Sequence, residues 1–161
     1  MLMRNMAMSE HISAEDGLQF ICTLVQASQT IKANAGRRAR VPVTHLLSQA
    51  IHYFWAARDV PIFDRSRPRS RSAANASDTI LVYDCAIPLG LLAEEMLNRP
   101  ATAESVRQFL DDHLFVCLIT GDEAHRLSTL DLRSFMPKGW QWGDDLFARY
   151  DAAEIDLVIV E

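Results

Sequence analysis

A disulfide framework is the first thing this sequence lacks. Only three cysteines are present, Cys22, Cys85 and Cys117, an odd number without paired spacing and set in apolar segments. They read as the reduced thiols of a cytoplasmic protein. No C-x-x-C occurs, which excludes a structural zinc knuckle. No apolar run approaches the roughly 20 residues that span a bilayer, and the opening stretch Met1 to Ser9 lacks the hydrophobic core of a secretory signal. There is neither a Walker sequence nor a G-x-G-x-x-G, so nucleotide binding has no warrant in the sequence. Lysine is nearly missing, with Lys32 and Lys138 alone, and no internal repeat is visible.

What is present is a globular composition. Hydrophobic residues make up 49% and charged residues 23% of 161, which argues against wholesale disorder and predicts one domain over 1–161, long enough to bury a core. The net charge of −5 hides a division: residues 32–72 hold nine basic against two acidic side chains, or +7, leaving −12 for the remainder. The basic side chains are almost all arginines, whose planar fork suits bidentate contact with phosphate or carboxylate. Arg37, Arg38, Arg40, Arg65, Arg67, Arg69 and Arg71 are therefore the expected contacts to nucleic acid or to an acidic protein. The plainer reading is a solvated loop that balances an acidic body.

Hydrophobic spacing organises the chain. Ser13 followed by Asp16 is a capping box, and Leu18, Ile21, Cys22 and Val25 predict a helix over 14–33. Val43, Leu46, Leu47, Ala50, Ile51, Phe54 and Trp55 give the clearest helical stripe, with His45, Gln49 and His52 on the opposite face. A metal-ligand role for those histidines lacks a carboxylate partner within the helix. From residue 59 to 77 the pattern collapses into a run of arginine, serine and proline, read as a mobile arginine-rich connector. Thr79–Tyr83 predicts a strand, Pro88 opens a helix, Thr102 caps another, and Leu114–Ile119 reads as a buried strand. Thr120 and Glu123 form a capping box that places His125 on the next helix, and Ile155–Val160 predicts a last strand. The fold class expected is α+β: amphipathic N-terminal helices on a small sheet, with a ββα-like C-terminal half.

Three residues in this order carry the sharpest chemical reading. Asp84 ends a strand, Cys85 follows it before Ile87-Pro88-Leu89, and His125 sits on a helix after a second strand. The stretch from Tyr83 to Leu127 resembles the ββα-metal core of HNH-type nucleases in a degenerate form. The resemblance implies Asp84 and His125 as ligands of a divalent metal, with Asn98 as a counterpart of the family's middle asparagine. Cys85 stands where the family places its general-base histidine. A thiol with an ordinary pKa near 8.5 is a poor base unless its surroundings shift it. Cys85 at a strand end before a helix is also placed as a nucleophile would be, but no oxyanion signature flanks it.

Trp140 and Trp142, in a loop with Asp144 and Asp145, are either interface residues or lids on the core. These observations favour a non-enzymatic binding protein, of the kind that inhibits or assists a microbial defence or mobile-element system. Its partner would be nucleic acid or an acidic protein, with no membrane and no cofactor. The alternative is an HNH-like endonuclease that requires a divalent metal.

Overall fold

The structure, a computed structural model, describes residues 13–35, 40–56, 67–76 and 80–158. The first helix, α1 (Ala14–Ala35), begins where Ser13 accepts from the Asp16 N–H at 3.0 Å and its hydroxyl donates to the Asp16 carboxylate at 2.6 Å. Leu18, Ile21, Cys22 and Val25 are buried along one face, the stripe that the spacing predicts. The second helix, α2 (Arg40–Ile51), passes into a π-helical turn, His52–Ala56, which carries Trp55 and Ala56 inward. Gly17 is where the two segments touch. A Cβ placed there would lie 2.8 Å from the Phe54 carbonyl oxygen. Gly17→Ala therefore gains helix propensity of about 1 kcal/mol but has to push a backbone away, and a net loss of about 1–2 kcal/mol is expected in urea denaturation.

A four-stranded mixed sheet follows, in the order β2-β3-β1-β4. Its strands are β1 (Arg69–Ser70), β2 (Leu81–Cys85), β3 (Val116–Thr120) and β4 (Leu157–Val158). Between and around them lie α3 (Arg71–Asn75), α4 (Leu89–Met96), α5 (Ala103–His113), α6 (Gly121–Thr129) and α7 (Ala148–Ala152). The fold is α+β. β3 is buried at every position, as a continuous apolar run dictates. It pairs antiparallel with β2, Tyr83 opposite Leu118, and parallel with β1. Chain order on this side is strand, two helices, strand, helix. Expected and observed boundaries agree to within a few residues for most elements, and the far end of the predicted last strand lies outside the described residues.

Two clusters hold these layers together. Leu18, Ile21, Leu47, Ile51, Trp55, Leu92, Met96, Phe109 and Leu110 join α1, α2, α4 and α5. Cys117, Ile119, Leu127, Tyr150 and Ile155 fill the space between the sheet and the C-terminal helices. No helix among the described residues is long and apolar enough to cross a membrane.

The expected connector at 59–77 is corrected where it is described. Residues 69–75 are not loop: Arg69 and Ser70 form an inner strand of the sheet, and α3 follows at once. Backbone pairing on both sides accounts for this. The Pro68 carbonyl accepts from the Leu118 N–H at 2.9 Å, and the Arg71 N–H donates to the Asp156 carbonyl at 2.7 Å. Ser70 then caps α3, accepting from the Ala73 N–H at 3.0 Å. Proline loses nothing here, because the strand uses its carbonyl. Residues 59–66 and 77 lie outside the described residues.

Candidate functional site

Asp84 stands on β2, next to its end, and its carboxylate is already engaged. Arg149, on α7 and only 1% exposed, pairs with Asp84 Oδ2 through Nη2. The Tyr150 hydroxyl donates to the same oxygen at 2.7 Å. Nη2 also donates to the Cys85 carbonyl at 2.5 Å, while Nε donates to the Ala86 carbonyl at 3.0 Å and Nη1 to those of Leu132 at 2.6 Å and Arg133 at 3.4 Å. Burial opposes the charge on Arg149, but Asp84 and its hydrogen bonds outweigh this and raise the pKa further. Burial and the neighbouring Asp84 charge likewise push Tyr150 well above the ordinary range for a phenol. One buried cation thus ties the end of β2 to the 132–133 segment and to α7.

Cys85 does not offer the thiolate that a base or nucleophile would need. It is buried against Ala56 and Val116, with the Tyr83 hydroxyl 2.8 Å from its sulfur. Burial pushes its thiol up to about 12, against the lowering effect of the Tyr83 hydrogen bond, so it stays protonated at neutral pH. Cys117, inside β3, is pushed up to about 11 for the same reason. Asn98, in the turn after α4, bonds back to Glu95 at 3.4 Å and lines a groove away from Asp84.

His125 is exposed on α6. It and Asp84 line one cavity of about 330 Å³, together with Val82, Gly121, Ser128 and Arg133. Among the described residues no group of three or more histidine, cysteine, aspartate or glutamate side chains could hold a metal ion. On the other side of Asp84 opens a larger cleft of about 550 Å³, to which α2 contributes His45 and Gln49. His52 packs edge-on against Tyr83, ring centroids 4.7 Å apart, and burial lowers its pKa.

Of the arginines expected to reach a partner, only Arg67, Arg69 and Arg71 have described side chains, and each is engaged with or buried in the fold to a different degree. Arg67 donates through Nη2 to the Ala56 carbonyl at 2.5 Å, fastening β1's approach to the π-helical turn. Arg69 is 8% exposed, and its Nη2 is buried without a hydrogen-bond partner among the described residues. Both placements arise because the segment joins the sheet. Arg71 is exposed and pairs with Asp156 at 2.6 Å. Arg37, Arg38 and Arg65 lie outside the described residues, as does the side chain of Arg40.

Trp140 and Trp142 are both half-buried, 5.2 Å apart and inclined at 67°. The Trp140 Nε1–H donates to the Asp145 carbonyl at 2.9 Å. Trp142 packs against the stacked pair of Phe109, at 5.8 Å, and His113, at 5.5 Å. Together with Phe135, Met136, Pro137 and the exposed side of α4 they line a groove of about 350 Å³. Both side chains therefore pack against the core and also line the groove. The sequence reading missed Arg149, Tyr150 and Ser70 as organising residues. The signal for Arg149 was an arginine amid apolar Leu146, Phe147, Ala148 and Tyr150, a setting that demands a buried partner.

No family model matches this chain, and neither a curated protein nor a solved structure matches it.

Proposed function

We propose that this protein acts by binding a partner, with the tryptophan groove as its contact surface, and not by hydrolysing a phosphodiester. The observation that supports this is the division of labour between the two places. Asp84 Oδ2 already receives Arg149 and Tyr150, and Cys85 is a protonated thiol. Trp140 and Trp142, in contrast, hold fixed rings at an open groove, and aromatic anchors of this kind dominate binding energy at interfaces. An inhibitor or accessory factor of a microbial defence or mobile-element system would be built in this way. Nucleic acid or an acidic protein surface remains the proposed partner of the arginine-rich 37–71 region, through Arg71 and the arginines outside the described residues.

One observation favours the nuclease alternative: Asp84 and His125 line the same cavity, beside an antiparallel strand pair that runs into the helix bearing His125. A labelled plasmid and single-stranded DNA, incubated with magnesium, manganese or zinc, separate the two readings. Wild type and His125→Ala are expected to leave both substrates intact. Metal-dependent cleavage by the wild type that disappears in His125→Ala would replace the binding reading with a working ββα-metal site. In the same samples, DNA binding through the arginines should weaken steeply as salt rises.

A further inference from the structure

The groove at Trp140 and Trp142 has a charge as well as a shape. Its walls are apolar and aromatic: Leu91, Phe135, Met136, Pro137 and the two indoles. Among the described residues its polar lining is Glu94, Glu95 and Asn98, with no basic side chain. Glu95 is partly compensated by Arg99, 3.1 Å away across one helical turn. Asp144 and Asp145 belong to the loop that carries the tryptophans. Residues 80–158 hold fourteen acidic against six basic side chains, so the groove sits in the acidic part of the molecule.

We infer that this groove receives a lysine or arginine side chain presented by an apolar segment of a partner protein. The inference rests on the binding reading given above and names the partner's chemistry. A long cationic side chain matches each part of the surface. Its methylene stem lies along apolar walls while its head stays near the carboxylates. Two indoles inclined at 67° meet at a corner, and a cation near a tryptophan face is drawn to the ring quadrupole. The rings are held beforehand, one by the Asp145 carbonyl and the other by Phe109 and His113, so little ordering remains to be done on binding. A neutral apolar segment would leave Glu94 and Glu95 facing its flank, and an acidic one would be repelled by them.

The test uses tryptophan emission. Trp55 is 1% exposed, whereas Trp140 and Trp142 are half-buried, so a ligand in the groove changes their signal and leaves that of Trp55. The probes are short capped peptides with leucine and alanine around a central lysine or arginine, and the same peptides with glutamine or glutamate there. The cationic peptides should bind about five- to tenfold more tightly than the glutamine peptide, and high salt should shrink that preference. Replacing both carboxylates, Glu94→Gln with Glu95→Gln, should abolish the preference with an unchanged circular dichroism spectrum. Phe135→Ala, at a side chain already 55% exposed, should weaken every peptide without unfolding the protein. Glutamine or glutamate peptides that bind as tightly as the cationic ones would overturn the charge assignment and leave the groove as a binding surface. A preference that survives the double substitution would overturn it too. Failure of all the peptides to change the emission would overturn both this inference and the groove as the contact surface.

Discussion

Arg149→Ala should lower the folding stability by about 3–5 kcal/mol, the range for breaking a buried ion pair by removing one partner. Few surface features of the sequence suggest so large a role for one arginine in a five-residue helix. The reason is that its guanidinium serves Asp84 and four backbone carbonyls at once. Alanine would leave the largely buried Asp84 carboxylate with the Tyr150 hydroxyl as its one remaining hydrogen-bond donor among the described residues, and would leave carbonyls of Ala86 and Leu132 without that donor. Arg149→Lys should rescue little, because an ammonium is a compact point charge and cannot span acceptors that the planar fork reaches together. Asp84→Asn should cost less than Arg149→Ala, since the carbonyl acceptors remain. Urea denaturation of the three variants gives the order. If Arg149→Lys kept wild-type stability, the fork geometry would not be what the site requires. The same series bears on the nuclease alternative. With Arg149 removed, Asp84 becomes more available to a metal, and a gain in affinity for manganese in Arg149→Ala would show that the arginine had been holding a ligand back.

The elements that were legible in the sequence are those whose residues answer to one dominant force. Leu18, Ile21 and Val25 repeat at helical spacing because one face of α1 is buried and the other is not. Val116 to Ile119 read as a buried strand because both faces of β3 are covered. The Thr120–Glu123 capping box follows from unsatisfied N–H groups at a helix start, a purely local matter. What stayed hidden depends on residues far apart in the chain. Two residues, Arg69 and Ser70, have no period to detect, and they are a strand only because β3 and β4 supply the pairing from both sides. Asp84 was legible as a strand-end acid, but its partner lies 65 positions away. Nothing at Tyr83, Asp84 or Cys85 says whether that acid faces a metal or an arginine. Trp140 and Trp142 could be read either as core or as interface, because each indole packs on the core and also lines an open groove.

Glu123→Gln should show the largest effect of pH. Glu123 is 5% exposed, and its Oε2 accepts from the Ser70 hydroxyl at 2.5 Å, the Thr120 N–H at 2.8 Å and the Thr120 hydroxyl at 3.2 Å. Through Ser70, which caps α3, this one carboxylate joins the starts of α6 and α3 to β1. Burial works against its charge, but the hydrogen bonds from Ser70, Thr120 and Ser72 outweigh burial and hold the carboxyl below its ordinary range. Two helix N-termini meet at this oxygen, and their dipoles favour the anion as well. The sign follows from linkage. With the folded pKa below the unfolded value of about 4.3, Glu123 contributes its stability in full above that pH. The contribution falls away as the pH drops through the folded pKa. At pH 7 the glutamine variant should therefore be about 1.5–3 kcal/mol less stable than wild type, the usual range for hydrogen bonds to a charged group. Towards pH 3 the gap should narrow, because wild type loses its charge while the variant has none to lose. Denaturant titrations of both proteins at the two pH values measure this directly. A gap of the same size at both would mean that the carboxylate holds β1, α3 and α6 together by shape and not by charge.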